Sequence, residues 1–213
     1  MRRTIGTSAL LTMSMALSFA AAAQQPEPTT PPPPGWMNKI HAKSAEAGIT
    51  LDFERIRAVG PNNSWAWLKG AALDGSLTFY RGLGVAANFT GDHTSNVSNG
   101  VGLGKISFMA GPRYTVDVAR YLPTSAKKHP AFVFGEYLFG GAHAFGSLFP
   151  QQNGTATTAG TFSMQMGGGV DLALKDGFYA RPVEMDWVHT ALPNTAGNTQ
   201  NDFRIAFGVS YRR

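Results

Sequence analysis

His93 stands two residues before Ser95 in the stretch His93-Thr94-Ser95-Asn96. The histidines His41, His93, His129, His143 and His189 fall at no metal-ligand spacing, and no His-Glu-x-x-His pair occurs. Neither a metal nor a cofactor is expected. Gly100, Gly102 and Gly104 before Lys105 look superficially like a phosphate-cradling loop. The residues after Lys105 read as a strand, so the helix N-terminus that completes such a loop is missing.

The richer signal is charge at alternate positions. Asp52, Glu54, Asp74, Arg113, Glu136, Glu184, Asp186 and Arg204 all fall on the polar parity of short alternating segments. Enclosed together they form an interior ion-pair network, with Arg204 close to Glu184 or Asp186 and Arg113 adjacent to Glu136. Buried charges are costly unless they are paired and hydrogen-bonded. A cation-lined conduit or gate is the sharper alternative, and it needs the side-chain plug to rearrange. Trp65 and Trp67 form a candidate ligand-stacking pair in the first external loop. The remaining Trp and Tyr residues, near segment ends, fit interface girdles.

The elements that must position these residues are strands. Phe203, Ile205, Phe207, Val209 and Tyr211 alternate with Arg204, Ala206, Gly208 and Ser210. Ile106 to Val116 and Phe162 to Leu172 repeat the arrangement, and their small or glycine-rich polar faces imply a tight interior. Further segments begin near Gly48, Leu73, Leu83, Ala131 and Val183. Arg55 and Arg57 spoil the apolar face of the first segment, which is tolerable only near an aqueous boundary. Arg181 falls on the apolar parity of the seventh unless Pro182 introduces a bulge. A sheet with one lipid-compatible face and one polar face must close on itself to satisfy its edges. The expected fold is all-β: a closed eight-stranded antiparallel up-and-down transmembrane barrel, its interior filled by side chains.

Connections should alternate as well. Tyr80 to Gly82 and Lys175 to Gly177 read as tight turns, whereas 59–69, 92–101, 146–160 and 190–201 read as long external loops. The segment 117–130 is longer than a usual periplasmic turn. Upstream, Arg2 and Arg3, the apolar run 5–20 and Ala21-Ala22-Ala23 make residues 1–23 a signal peptide of the ordinary secretory kind. Proline-rich residues 24–47 are a linker, and 48–213 the barrel. The absence of Cys excludes a disulfide framework and a lipid-modified cysteine. With Arg2 and Arg3 set aside the excess charge is about +3, too dispersed to hold a nucleic-acid backbone.

The stretches GSLTFYRGLGVAANFTGDH, FMAGPRYTV, PAFVFGEYLFGGA, MGGGVDLAL, RPVEMDWVHT and FRIAFGVSYRR, in that order, resemble the outer membrane protein A-like family of small barrels. The resemblance covers about residues 48–213 and implies a bacterial outer-membrane location, with outer-membrane lipid, lipopolysaccharide and the assembly machinery as partners, and a monomer. Family barrels usually end in an aromatic residue, whereas here Tyr211 is followed by Arg212 and Arg213. A non-enzymatic structural, envelope-integrity or surface-binding role is expected. Two rivals stand beside it. The stretch at His93 is similar to a motif of lipid A deacylase barrels, which implies His93 as base and Ser95 as nucleophile, although that family places the motif on a late strand facing lipid. A soluble lipocalin-like barrel would instead need its apolar residues inside.

Overall fold

In the computed structural model, residues 42–57, 65–98, 101–118, 130–151, 154–193 and 199–213 are described. The expected signal peptide, most of the linker, Trp36, His41, Tyr121 and His129 lie outside them. Eight strands succeed one another: β1 (Ser44–Arg57), β2 (Trp65–Tyr80), β3 (Leu83–Ser98), β4 (Val101–Asp117), β5 (Ala131–Gln151), β6 (Gly154–Ala173), β7 (Phe178–Thr190) and β8 (Gln200–Arg212). Each pairs antiparallel with the next, and β1 pairs with β8, so the barrel is closed. Closure leaves no strand edge with unpaired backbone donors and acceptors, the condition that a sheet in lipid must meet.

Which face is inside decides what kind of barrel this is. Phe108 is 59% exposed, Leu73 57% and Phe162 55%, while Asp52 is 0% and Arg204 1% exposed. Water-soluble proteins do the reverse. Leu77, Val85, Phe89, Phe139, Met166, Met185, Phe207 and Val209 continue the greasy exterior around the wall. A contiguous apolar belt of this extent, with charge enclosed behind it, is matched to acyl chains and not to water. Tyr80, Tyr114 and Tyr211 stand outward near one rim, Trp65 and Trp67 near the other, as interfacial aromatics do.

The two rims differ. The turn end carries the start of β1, the end of β8 and the close turns at Arg81-Gly82 and 174–177, while the hairpin end carries the joints after β1, β3, β5 and β7. At Arg81-Gly82 both residues have positive φ, 48° and 91°, as two-residue hairpin turns that suit strand twist require. A Cβ at Gly82 would run into the Thr115 carbonyl oxygen. Gly82→Val is therefore expected to lower stability by more than about 1 kcal/mol, read as a lower urea midpoint of the folded band on a gel.

Several expected boundaries are corrected. β1 begins at Ser44, inside the expected linker, and β2 begins at Trp65 rather than after Lys69. Segments 92–101 and 146–160, expected as loops, are mostly strand: β3 pairs with β4 as far as Ser98 and Val101, and β5 with β6 as far as Gln151 and Gly154. These extensions lie beyond the apolar belt, where small and polar residues interrupt the alternation. At Pro182 the β7–β8 register shifts between Arg181 and Glu184, and Arg181 turns inward at 2% exposure. The bulge thus resolves the parity of Arg181 in favour of the lumen.

Candidate functional site: the charged lumen

Alternate residues of every strand enter the lumen because strand side chains alternate, and glycines make room for the long ones. Gly70 sits in register between Asp52 and Asp92, and Gly167 faces both Glu136 and Asp186. A Cβ on either glycine would collide with the neighbouring aspartate. The small residues of the polar parity are thus the space into which the charges fold.

Near the turn end Arg113, Arg181 and Arg212 converge on Glu46, Asp74 and Asp171. Arg181 donates from Nε to Asp171 at 2.8 Å, from Nη1 to Asp74 at 3.0 Å and to Glu184 at 2.9 Å, and from Nη2 to Glu46 at 2.7 Å. Arg113 donates to Glu46 at 2.9 Å, and Arg212 bonds both Glu46 and Asp171. The buried ring of Phe134 lies under two guanidinium groups, with Arg113 at 3.6 Å and Arg181 at 4.5 Å from its centroid. Desolvated guanidinium over an aromatic face is a favourable contact that also closes the bore.

Higher up, Arg204 donates to Asp186 from Nε at 3.0 Å and to Thr90 Oγ1 at 3.1 Å, and stands 3.5 Å from Glu184. Lys105 bonds Glu54 and lies 3.9 Å from Asp92. Buried apolar clusters sit among these charges and toward the hairpin end. Ala86, Met109 and Leu138 pack in one buried cluster; Ile56, Ala66 and Leu68 form a second, and Ala144, Phe149 and Leu192 a third, both toward the hairpin end. A cavity of about 620 Å³ opens at the turn-end mouth beside Arg81, Tyr114, Phe132 and Arg212. Behind it the bore is filled by Phe134 and its arginines.

The structure places all eight expected lumen residues on the inner face. Arg113 and Glu136 are cross-strand partners 3.6 Å apart, and Arg204 takes Asp186 as its nearer carboxylate. Asp171, on the polar face of its alternating segment, and Arg181, turned by the bulge, join them, as do Glu46, Asp92, Lys105, Asp202 and Arg212, which were not expected there. Glu46 falls in the expected linker and Asp92 in an expected loop. Lys105 stands one residue before the expected start of its strand, and Arg212 lies one step past the last aromatic residue. Simple parity, continued one step beyond the apolar run, finds both Lys105 and Arg212.

Glu136, Glu184 and Asp186 bring carboxylate oxygens within 4.8 Å of one another, a cation-sized arrangement. The cationic charge there comes from Arg113, Arg181 and Arg204, which pair with the three carboxylates in turn. Trp65 and Trp67, expected in a loop, are outward residues of β2. His93 and Ser95 are corrected in the same way: both are exposed on β3, and the cross-strand partners of His93 are Lys69 and Gly104. A cation, Lys69, is therefore the β2 neighbour of the candidate base.

Neither a protein-family model nor a curated protein matches the chain by sequence. Solved structures do match by shape. Neisserial surface protein A aligns over 79% of this chain and 95% of its own, at 11% identity and a TM-score of 0.53. The attachment invasion locus protein Ail of Yersinia pestis aligns over 81% of this chain and 100% of its own, at 12% identity and a TM-score of 0.48. The N-terminal β-barrel domain of Pseudomonas aeruginosa OprF aligns over 81% and 98%, at 14% identity and a TM-score of 0.42. The chain is thus similar in fold to small eight-stranded barrels of the outer membrane protein A-like kind.

Proposed function

We propose that the protein is a non-enzymatic, monomeric barrel of the bacterial outer membrane, exported by residues 1–23 and folded with the help of the assembly machinery. Its role is envelope integrity or surface contact, carried by the hairpins beyond the apolar belt. The observation that carries this reading is a filled, charge-stitched lumen inside a lipid-compatible wall. Such a barrel anchors and presents; it does not conduct solutes freely. The β5–β6 hairpin is the most extended presenting element, pairing past a register shift through Phe149–Ala156 and Pro150–Thr155 to Gln151–Gly154.

Membrane fractionation with a heat-modifiability gel tests the proposal. The protein is expected in the outer-membrane fraction, with a band that shifts on boiling, and to give no stable open channel in planar bilayers. Buffer-extractable protein without a shift would instead favour a soluble lipocalin-like barrel. The enzymatic alternative makes its own demand. Ser95→Ala is expected to leave the lipid A profile of a producing strain unchanged, and a changed profile would reopen the hydrolase reading.

A further inference from the structure

Two neighbouring strands bring three carboxylates to one point of the lumen, around a glycine of the strand between them. In the ladders Gly167 of β6 lies between Glu136 of β5 and Asp186 of β7, and Glu184 stands one inward step from Asp186 along β7. Because Gly167 has no side chain, the space between the flanking carboxylates stays open, and a Cβ there would run into Asp186 Oδ1. One oxygen from each of the three carboxylates lies within 4.8 Å of the others. All three residues are buried.

The arginines satisfy these carboxylates only in part. Arg113 stands 3.6 Å from Glu136 Oε2, Arg181 donates to Glu184 Oε2 at 2.9 Å, and Arg204 donates to Asp186 Oδ2 at 2.9 Å. Of the remaining oxygens, Glu184 Oε1 has Arg204 at 3.5 Å, and Asp186 Oδ1 has no hydrogen-bond partner among the described residues. Gln165, one inward step from Gly167 on β6, donates from Nε2 to Glu136 Oε1 at 3.2 Å. That bond orients the amide, since its oxygen would repel the carboxylate, and it leaves the buried Gln165 Oε1 without a donor. The ladder neighbours of Gln165 are the buried side chains of Leu138 and Val188, which have no donor to give. Buried acceptors without donors are costly. Charge is out of balance as well: with Glu46, Asp74 and Asp171 included, at least six carboxylates share four guanidinium groups, an excess equal to the charge of one divalent cation.

We propose that Glu136, Glu184, Asp186 and the Gln165 amide oxygen hold a hard divalent cation, calcium in preference to magnesium. Carboxylate and amide oxygens are the donors such ions select, so histidine spacing carries no information about this site. Calcium accepts irregular sets of oxygens, with carboxylates binding through one oxygen or two. Magnesium demands a near-octahedral set and keeps several waters, for which a side-chain-filled lumen has little room. The guanidinium groups hold the far oxygens of the carboxylates and so aim the near ones. The ion rivets β5, β6 and β7 together from inside.

The test uses the full chain folded into phosphatidylcholine vesicles, whose zwitterionic surface offers calcium no anionic lipid. Urea midpoints of the folded band are read in chelator, in calcium and in magnesium. After passage through metal-free buffer, elemental analysis is expected to find about one calcium per barrel folded in calcium. Calcium is expected to raise the midpoint and magnesium to raise it less, because a ligand of the folded state adds stability by mass action. Gln165→Leu is expected to weaken calcium binding about tenfold. Glu136→Gln is expected to lose the calcium response and, in chelator, to match or exceed the parent, since one uncompensated buried charge is gone. A parent whose midpoint ignores calcium overturns the proposal and assigns the excess charge to bound protons. So does a calcium response that survives in both variants, which would place the ion elsewhere on the barrel.

Discussion

Arg181→Met is expected to destabilise the barrel by about 3 to 5 kcal/mol, the cost of leaving buried partners of a removed charge uncompensated. The buried guanidinium donates to Glu46, Asp74, Asp171 and Glu184, which stand on four different strands. Methionine is apolar and unbranched like the arginine stem, so the loss reports mainly on charge. Urea titration of the heat-shifted band in lipid vesicles measures it. Asp176→Asn, at an exposed turn, is the control and is expected to change stability by less than about 0.5 kcal/mol. A loss at Arg181 no larger than the control would mean that the lumen is screened by solvent and the network contributes little.

The second large effect tests the wall. Phe108→Arg puts a cation at the middle of the apolar belt, where the expected cost is about 2 to 4 kcal/mol. Asn201→Arg puts one at the hairpin rim, where it is expected to cost about 0 to 1 kcal/mol. Both positions are exposed, so a protein surrounded by water would tolerate the two equally. The difference between the two midpoints, measured in vesicles, therefore reports the depth of the surrounding lipid. Equal midpoints would remove the case for a membrane-spanning wall.

The strands are legible wherever one face meets lipid and the other the lumen, because that contrast writes a two-residue period into the chain. Phe203 to Tyr211 and Ile106 to Val116 show it plainly, and the structure keeps both parities. Where the contrast fades, the boundaries blur. Thr155 to Ala159 on β6 and Thr94 to Val97 on β3 stand beyond the belt and mix small and polar residues on both faces. Lumen charges inside clean periods read as inward, and so do pairs on neighbouring strands such as Arg113 with Glu136 and Arg204 with Asp186, whereas pairs across the bore do not. Arg181 pairs with Glu46 across 135 positions of sequence, and spacing alone carries no trace of that contact. Arg181 also depends on a bulge, whose side-chain consequence a proline hints at but does not fix.

The register places β1 against β8, the first strand against the last, and Glu46 on β1 bonds Arg113 of β4, Arg181 of β7 and Arg212 of β8. A sheet that has formed every ladder but this one therefore holds three guanidinium groups without their common acceptor. Such a half-built intermediate has little to gain until the seam zips, so opening and closing should be all-or-none, with the first and last strands committing together.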